Sequence, residues 1–297
     1  MTINRKSLAA FVAVVEQQSF ERAAKDLHIT QSAVSQRIKQ LECELGLTLL
    51  RRKPHISPTH SGYALLRYAK NLHQLDETLD RELAPTTHQG WRQVSIACNA
   101  DSLSTWLLDA LAPWCKHHRV LIELKVDDQD ETHHLLHSGD VIGCISALEL
   151  NAAHISSTAL GALEYHCIAS PEFADEYFTQ GVSQASLAKA PLVRFNQKDQ
   201  LQHAYMERFF NLDARQSKQH FVPSADAYIK WIKLGMGFGM APRAQIEEQL
   251  NNGELLLVTP DLPLSVPLYW LEWGVKTQLG ESLSHCLQQY TNAQKAV

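Results

Sequence analysis

The 297-residue sequence contains no uninterrupted apolar run approaching the roughly 20 residues that a membrane-spanning helix needs, although 45% of its residues are hydrophobic. Its six cysteines (Cys43, Cys98, Cys115, Cys144, Cys167 and Cys286) are scattered and form no CxxC pair, which argues against a zinc site or a disulfide framework and for reduced core thiols. No GxSxG element and no Walker-type phosphate loop occurs, so no hydrolase or nucleotide chemistry is expected and the chain does not read as an enzyme. The glycines of "GMGFGMAP" are read as tight turns around a buried strand, because their GxGxG spacing precedes a strand where a dinucleotide fingerprint would follow one. The first residues, "MTINRKSLAAFVAVVEQQSFER", lack the longer apolar region and small-residue cleavage site of a secretory leader, which predicts a cytoplasmic protein with no membrane partner. With a mean hydropathy of −0.22 the chain has no disorder signature, and its length predicts two or three compact units.

Carboxylates are missing from one place in particular: none lies between Leu27 and Leu41. The net charge of −5 conceals an asymmetry, since residues 1–60 hold nine Lys/Arg against five Asp/Glu and so carry +4, leaving −9 for the remainder. In the basic part Leu8, Phe11, Val12, Val15 and Phe20 recur at helical spacing, and Ala23, Ala24 and Leu27 continue it after a break. His28-Ile29-Thr30 is long enough only for a tight turn, and Thr30 is a good N-cap for a third helix, without a capping box because Ala33 occupies N3. On that helix Val34, Ile38, Leu41 and Leu45 share one face, while Ser32, Gln36 and Lys39 fall opposite, flanked by Ser35 and Gln40. Short or bidentate polar groups fringed by cations suit base edges and phosphates in a major groove, where carboxylates would be repelled. A solvated helix face is the plainer alternative, and the next two segments of the chain favour DNA.

"GLTLLRRKPHISPTHSG" predicts a short β-wing bearing Arg51, Arg52 and Lys53. The next segment places Leu65, Tyr68, Leu72, Leu75 and Leu79 at the a and d positions of a heptad, predicting a long linker helix with a dimer seam that ends by Pro85. Two heads at fixed separation can read a near-palindromic site. The domains expected are a winged helix-turn-helix over 1–60, a linker and hinge over 61–90, and an effector domain over 91–297 whose second lobe spans about 165–265. DNA contacts are expected from Arg22, Gln31, Ser32, Ser35, Gln36, Arg37, Lys39, Arg51, Arg52, Lys53 and Thr59.

"AAKDLHITQSAVSQRIKQLE" followed by "LLRRKPHISPTHSG" resembles the signature of the LysR-type transcriptional regulators, with the usual second arginine displaced. "NADSLSTWLLDALAPW" and "SPEFADEYF" resemble the ArgP/LysG subfamily, regulators of arginine and lysine export also termed chromosome initiation inhibitors. The resemblance covers the whole chain. It implies an α/β fold class in which the winged helix-turn-helix and linker helix precede a two-lobed, periplasmic-binding-protein-like effector domain. It further implies a lysine or arginine effector and no cofactor, a double-stranded DNA operator, RNA polymerase as partner, and homodimers that pair into homotetramers. The implied target is an exporter of basic amino acids.

In the acidic part strands and helices alternate: strands at 93–98, 121–126 and 141–146, helices at 101–118 (bent at Pro113) and 131–137, then strands at 165–169, 192–195 and 219–222 with helices at 172–178 and 228–234. The strand "LYWLEW" and a helix over 278–292 close the chain. Such βα units bind ligands at the C-terminal ends of their strands, where helix N-termini attract anions. An amino-acid carboxylate could rest on the helix opened by Asn99, Asp101 and Ser102, with Asp101, Asp127 and Asp128 facing its cationic groups and Ser146, Phe195 and Asn196 lining the cleft. Helix cap is the alternative for Asp101, and loop charge for Asp127 and Asp128. His133 and His137 with Asp130 have helical spacing for a metal, but His134 stands where a metalloprotease pattern requires Glu and no third ligand is near, so no metal site is expected. A LysR-type regulator with a different small-molecule effector is one alternative, and an architectural or replication-origin DNA-binding protein is another; the −9 body opposes sequence-independent coating.

Overall fold

A computed structural model of the chain describes residues 3–53, 55–83, 90–126, 135–136, 138–150, 155–273 and 277–295. The head comprises helices α1 (Arg5–Gln17), α2 (Phe20–Asp26) and α3 (Gln31–Leu45) and an antiparallel wing of β1 (Leu50–Arg51) and β2 (Ser57–Pro58). Each helix starts on a polar cap: the side chains of Asn4, Ser19 and Thr30 accept backbone N–H bonds from Ser7, Arg22 and Ala33. Phe11, Val14, Ala23, Val34, Ile38 and Leu41 form a closed core, and Ala23 and Ala24 are buried where α2 packs against its neighbours. The wing is tied to α3 by the Glu42 carboxylate, which accepts the amides of Leu49 (2.8 Å) and Leu50 (3.4 Å).

Helix α4 (His60–Leu83) leaves the head. Its start lies against the wing backbone, so closely that a Cβ on Gly62 would stand 2.1 Å from the Leu49 carbonyl oxygen. Leu65 and Leu66 are buried in the head core, and Leu72 packs on its edge. This corrects the expected seam: Leu65 serves its own head, whereas Tyr68, Leu75 and Leu79 are exposed.

In the body, β3 (Arg92–Cys98) runs parallel to β4 (Val120–Val126) and to β5 (Gly143–Ser146). Between β3 and β4 the chain is helical without a break, as α5 (Ala100–Ser102), a π segment (Leu103–Leu107) and α6 (Leu108–His118). The departure from α-helical bonding therefore falls at Leu103–Leu107, upstream of the expected break at Pro113. There the Asp101 carbonyl accepts the Thr105 hydroxyl at 2.6 Å. Next comes β6 (Ile155–Ala169), far longer than the expected 165–169, because its first half is polar and carries no apolar run.

The second lobe contains α7 (Pro171–Tyr177), α8 (Gln184–Lys189), β7 (Leu192–Arg194), α9 (Leu201–Phe210), β8 (Gln219–Phe221), α10 (Ala225–Lys233), β9 (Gly239–Pro242), α11 (Arg243–Asn251) and β10 (Leu256–Leu257). Helices α8 and α9 were not anticipated from the sequence. β11 (Leu264–Trp273) then returns to the first lobe, pairing antiparallel with β6 along its length and with β5, and α12 (Gln278–Lys295) covers that lobe beside α6. The end of β6 pairs with β9 and β10, so β6 and β11 run through both lobes. Gly239 is required by proximity: the Tyr228 hydroxyl reaches over it to accept the Met240 amide (2.9 Å) and donate to the Val193 carbonyl (3.1 Å), and a Cβ there would lie 2.1 Å from that oxygen. Among the described residues, no helix is long and apolar enough to cross a membrane.

Gly62→Ala forces the first turn of α4 away from the wing. It should destabilise the head by about 1–3 kcal/mol, read as a lower urea midpoint for a head-located probe with the transition of the body unchanged.

Candidate DNA-reading face and effector cleft

The α3 helix presents two opposite faces. Val34, Ile38 and Leu41 are buried, while Gln31, Ser32, Gln36 and Lys39 are exposed, with Ser35 and Arg37 at the half-buried margin. The Ser32 hydroxyl shares a hydrogen bond with the capping Thr30 hydroxyl (2.9 Å), which fixes it at the N-terminal end where a groove-bound helix meets bases. Arg22, Arg51, Arg52 and Lys53 are exposed around this face, and Arg52 lies over the Phe20 ring at 5.3 Å. Thr59 does something else: its hydroxyl donates to the Thr48 carbonyl (2.7 Å) and accepts the Gly62 amide (3.0 Å), so it caps α4 and fastens the wing. Thr59, expected as a DNA contact, therefore has its hydroxyl engaged within the head.

The described residues expected to line the effector cleft follow the C-terminal ends of β3, β5 and β7, as the βα reading requires. Asn99 is buried and caps the first helical turn by accepting the Ser102 amide at 2.9 Å. Its Nδ2 and the Ser102 hydroxyl are buried with no hydrogen-bond partner. Asp101 accepts the hydroxyl of Tyr165, a residue of β6, at 2.5 Å. Burial raises the Asp101 carboxyl above its ordinary range, the Tyr165 hydrogen bond opposes this, and the negative charge of Asp199 adds to the rise. Tyr165 is itself pushed well up, first by burial and then by Asp101 and Asp199. Buried Tyr228 is raised by burial and by the same two carboxylates.

The loop after β7 supplies the second wall. Phe195 and Asn196 are half-buried; the Asn196 side chain accepts the amides of Lys198 and Asp199, and Asp199 accepts those of Phe195 (3.2 Å) and Leu201 (2.9 Å). Buried Arg194 braces this loop from below, donating to the carbonyls of Gln197 and Asp199 and to Gln219. Ser146 is also buried, with its hydroxyl bonded to Leu148 backbone atoms, so it shapes the turn after β5. Asp127 and Asp128 lie outside the described residues, as do Asp130, His133 and His137. Among the described residues, no group of three His, Cys, Asp or Glu is placed to hold a metal ion.

Tyr165, Arg194, Asp199 and Tyr228 were not anticipated from the sequence. Arg194 ends an apolar strand and Asp199 lies in the polar run "NQKDQ", positions whose local pattern gives no hint that Asp199 acts on Asp101 or that Arg194 braces its loop.

Comparison with known proteins agrees with this architecture. Residues 6–63 match the family model "Bacterial regulatory helix-turn-helix protein, lysR family", and residues 88–294 match "LysR substrate binding domain". The HTH-type transcriptional regulator ArgP of Photobacterium profundum is 38% identical over 288 residues, 97% of each chain, and that of Aeromonas salmonicida is 39% identical over 285 residues, 96% of this chain and 95% of that one. Among solved structures, ArgP from Mycobacterium tuberculosis superposes with a TM-score of 0.90 at 31% identity, covering 98% of each chain. Full-length LysG from Corynebacterium glutamicum, with bound effector Arg, gives 0.84 at 28% identity and covers 98% of each. These relatives are regulators of transcription and not enzymes, and the matched helix-turn-helix region contains α3 and the cationic wing. The chain belongs to the LysR family of bacterial helix-turn-helix transcriptional regulators.

Proposed function

We propose that this regulator senses a basic amino acid, arginine or lysine, and adjusts transcription of genes for the export or metabolism of such compounds. The observation that carries this reading is a cluster of buried polar groups around Asp101. At the start of a helical stretch running from Ala100 to His118, two buried polar groups, the Ser102 hydroxyl and Asn99 Nδ2, have no partner. A ligand carboxylate at a helix N-terminus would satisfy such donors. Beside them stand two carboxylates from different lobes, Asp101 and Asp199, close enough to raise the titration of Asp101 and of two tyrosines. A cavity with an anion seat next to paired negative charges has the polarity of a zwitterion bearing an extra cation. The LysG relative with bound effector Arg supports the same class.

In this reading the regulator works in the cytoplasm as a homodimer, with dimers pairing into tetramers and RNA polymerase as a partner. Tyr68, Leu75 and Leu79, exposed along α4, form the apolar strip available to a second copy. DNA is read by Gln31, Ser32, Ser35 and Gln36 and gripped by Arg22, Arg37, Lys39, Arg51, Arg52 and Lys53. The effector acts by favouring one of two arrangements of the sensor lobes.

Three outcomes test this. Gln36→Ala should cost about 1–3 kcal/mol of discrimination at one base pair, read by binding to single-base variants of the preferred duplex. Arg51→Ala should weaken all duplexes alike and reduce the slope of log affinity against log salt by about 1. Asp101→Asn should weaken arginine binding by calorimetry. Because the Asp101 carboxyl is raised in the empty cleft and a bound cation favours its ionised form, arginine should displace a proton. Affinity for the wild type should then fall as pH drops through that raised range, and the dependence should vanish in Asp101→Asn. Arginine and lysine heats indistinguishable from buffer would refute the effector assignment.

A further inference from the structure

The sensor lobe meets the DNA-bearing arm over one short stretch of α4. Lys70 Nζ lies 2.7 Å from Asp140 Oδ1, on the turn that leads into β5. Asp140 is held from three sides: the Ser138 hydroxyl donates to its other carboxylate oxygen, Lys125 Nζ of β4 donates to its backbone carbonyl (3.2 Å), and Lys70 takes the remaining oxygen. Burial alone would raise this carboxyl, yet the Lys70 and Ser138 hydrogen bonds and the charges of Lys70 and Lys125 together hold it below its ordinary range. One turn earlier on α4, the Arg67 guanidinium lies over the Trp273 ring at the end of β11, 4.5 Å from its centroid, and Trp273 Nε1 donates to the Leu136 carbonyl at 2.8 Å. Gly139 fits between them, so tightly that a Cβ there would meet Arg67 Cγ and Lys70 Cδ, each at 3.3 Å. Further along the same helix Asp76 takes a two-pronged bond from Arg5 at the start of α1, 2.9 and 3.2 Å.

An isolated exposed ion pair would contribute little. Here the pair is half-buried, its acid is fixed by two other elements, and a cation–π contact fixes the adjacent turn. The contacts also join particular parts. Asp140 precedes β5 and Trp273 ends β11, antiparallel neighbours, so both lie at the end of the first-lobe sheet opposite the cleft. A displacement of that lobe is therefore delivered to α4 at Arg67 and Lys70, and to the head through Asp76 and Arg5.

We propose that Lys70–Asp140, buttressed by Arg67 on Trp273, is the latch that sets the angle of the DNA-reading arm on its own sensor lobe, with Lys70 and Asp140 as positioning residues that touch neither DNA nor effector. The part of this inference that concerns signalling rests on the sensor reading above; the part that concerns arm geometry does not.

The test uses the full-length protein and the duplex it selects from a random-sequence pool, together with versions of that duplex carrying two extra base pairs between the half-sites. Wild type should prefer the selected spacing. In Asp140→Asn and Lys70→Met, with no amino acid added, that preference should fall by about fivefold or more, the lower end of typical couplings, while affinity for a single half-site stays unchanged. The exchanged pair Lys70→Asp/Asp140→Lys should restore it. Amide exchange should quicken over residues 64–76 in the single variants and not in α3. Addition of 10-fold excess arginine or lysine over the wild-type binding constant should shift spacing preference in wild type and the exchanged pair, and not in the single variants. Unaltered spacing preference in Asp140→Asn would overturn the latch. A wild type that ignores both amino acids while Asp140→Asn still loses spacing preference would remove the effector assignment and leave the latch standing.

Discussion

Leu65 and Leu66 of α4 are buried in the head core that also holds Phe11, Val34 and Ile38, and just beyond them on the same helix Arg67 and Lys70 lie against the sensor lobe. Burying those two leucines makes the helix a part of the head, so it cannot swing independently of α3 without exposing core to water. A rigid α-helix then carries any reorientation at one end to the other. The orientation of α3, and with it of Gln36, is thus tied to how α4 sits on the lobe, which is the connection that the proposed control of DNA reading from the other domain would use.

The charge distribution serves the same division. The first sixty residues are cationic and the rest is anionic, so the duplex attracts the heads and repels the lobes. Inside the lobes Asp101 is buried, and both its burial and the negative charge of Asp199 raise its carboxyl. In the proposed reading a cationic ligand would relieve that cost, and because the two carboxylates belong to different lobes the relief would depend on how the lobes stand to each other, the differential affinity that a switch needs.

Two strands make that relation possible. β6 and β11 run through both lobes, and Tyr165, near the end of their pairing, reaches Asp101 from the second-lobe side. The π segment at Leu103–Leu107 directly follows Asp101, and extra-residue turns of this kind recur at functional positions. The Tyr228 hydroxyl, passing over Gly239 to two backbone atoms, fixes the second-lobe strands that carry the Phe195–Asp199 loop.

Much of the head was legible because its signals are local: the N-cap of Thr30, the spacing of Val34, Ile38 and Leu41, and the missing carboxylates on the opposite face all act within a few turns of one helix. The same was true of the alternation of strands and helices that defined the body, and of Asn99 and Asp101 at a strand-to-helix junction. The heptad on α4 was legible only in part, since apolar spacing does not say which partner buries a leucine, and the head core took Leu65. The bonds of the Thr59 hydroxyl to the backbone of Thr48 and Gly62 were not legible, since they join the wing to α4. The first half of β6 escaped notice because pairing with β11, and not its own side chains, makes it a strand. The sequence by itself determined that a cationic three-helix reader precedes an acidic α/β sensor. Only the tertiary structure decided that Tyr165 and Asp199 come close to Asp101 and that Lys70 meets Asp140, because those encounters depend on packing between segments far apart in the chain, which no local periodicity encodes.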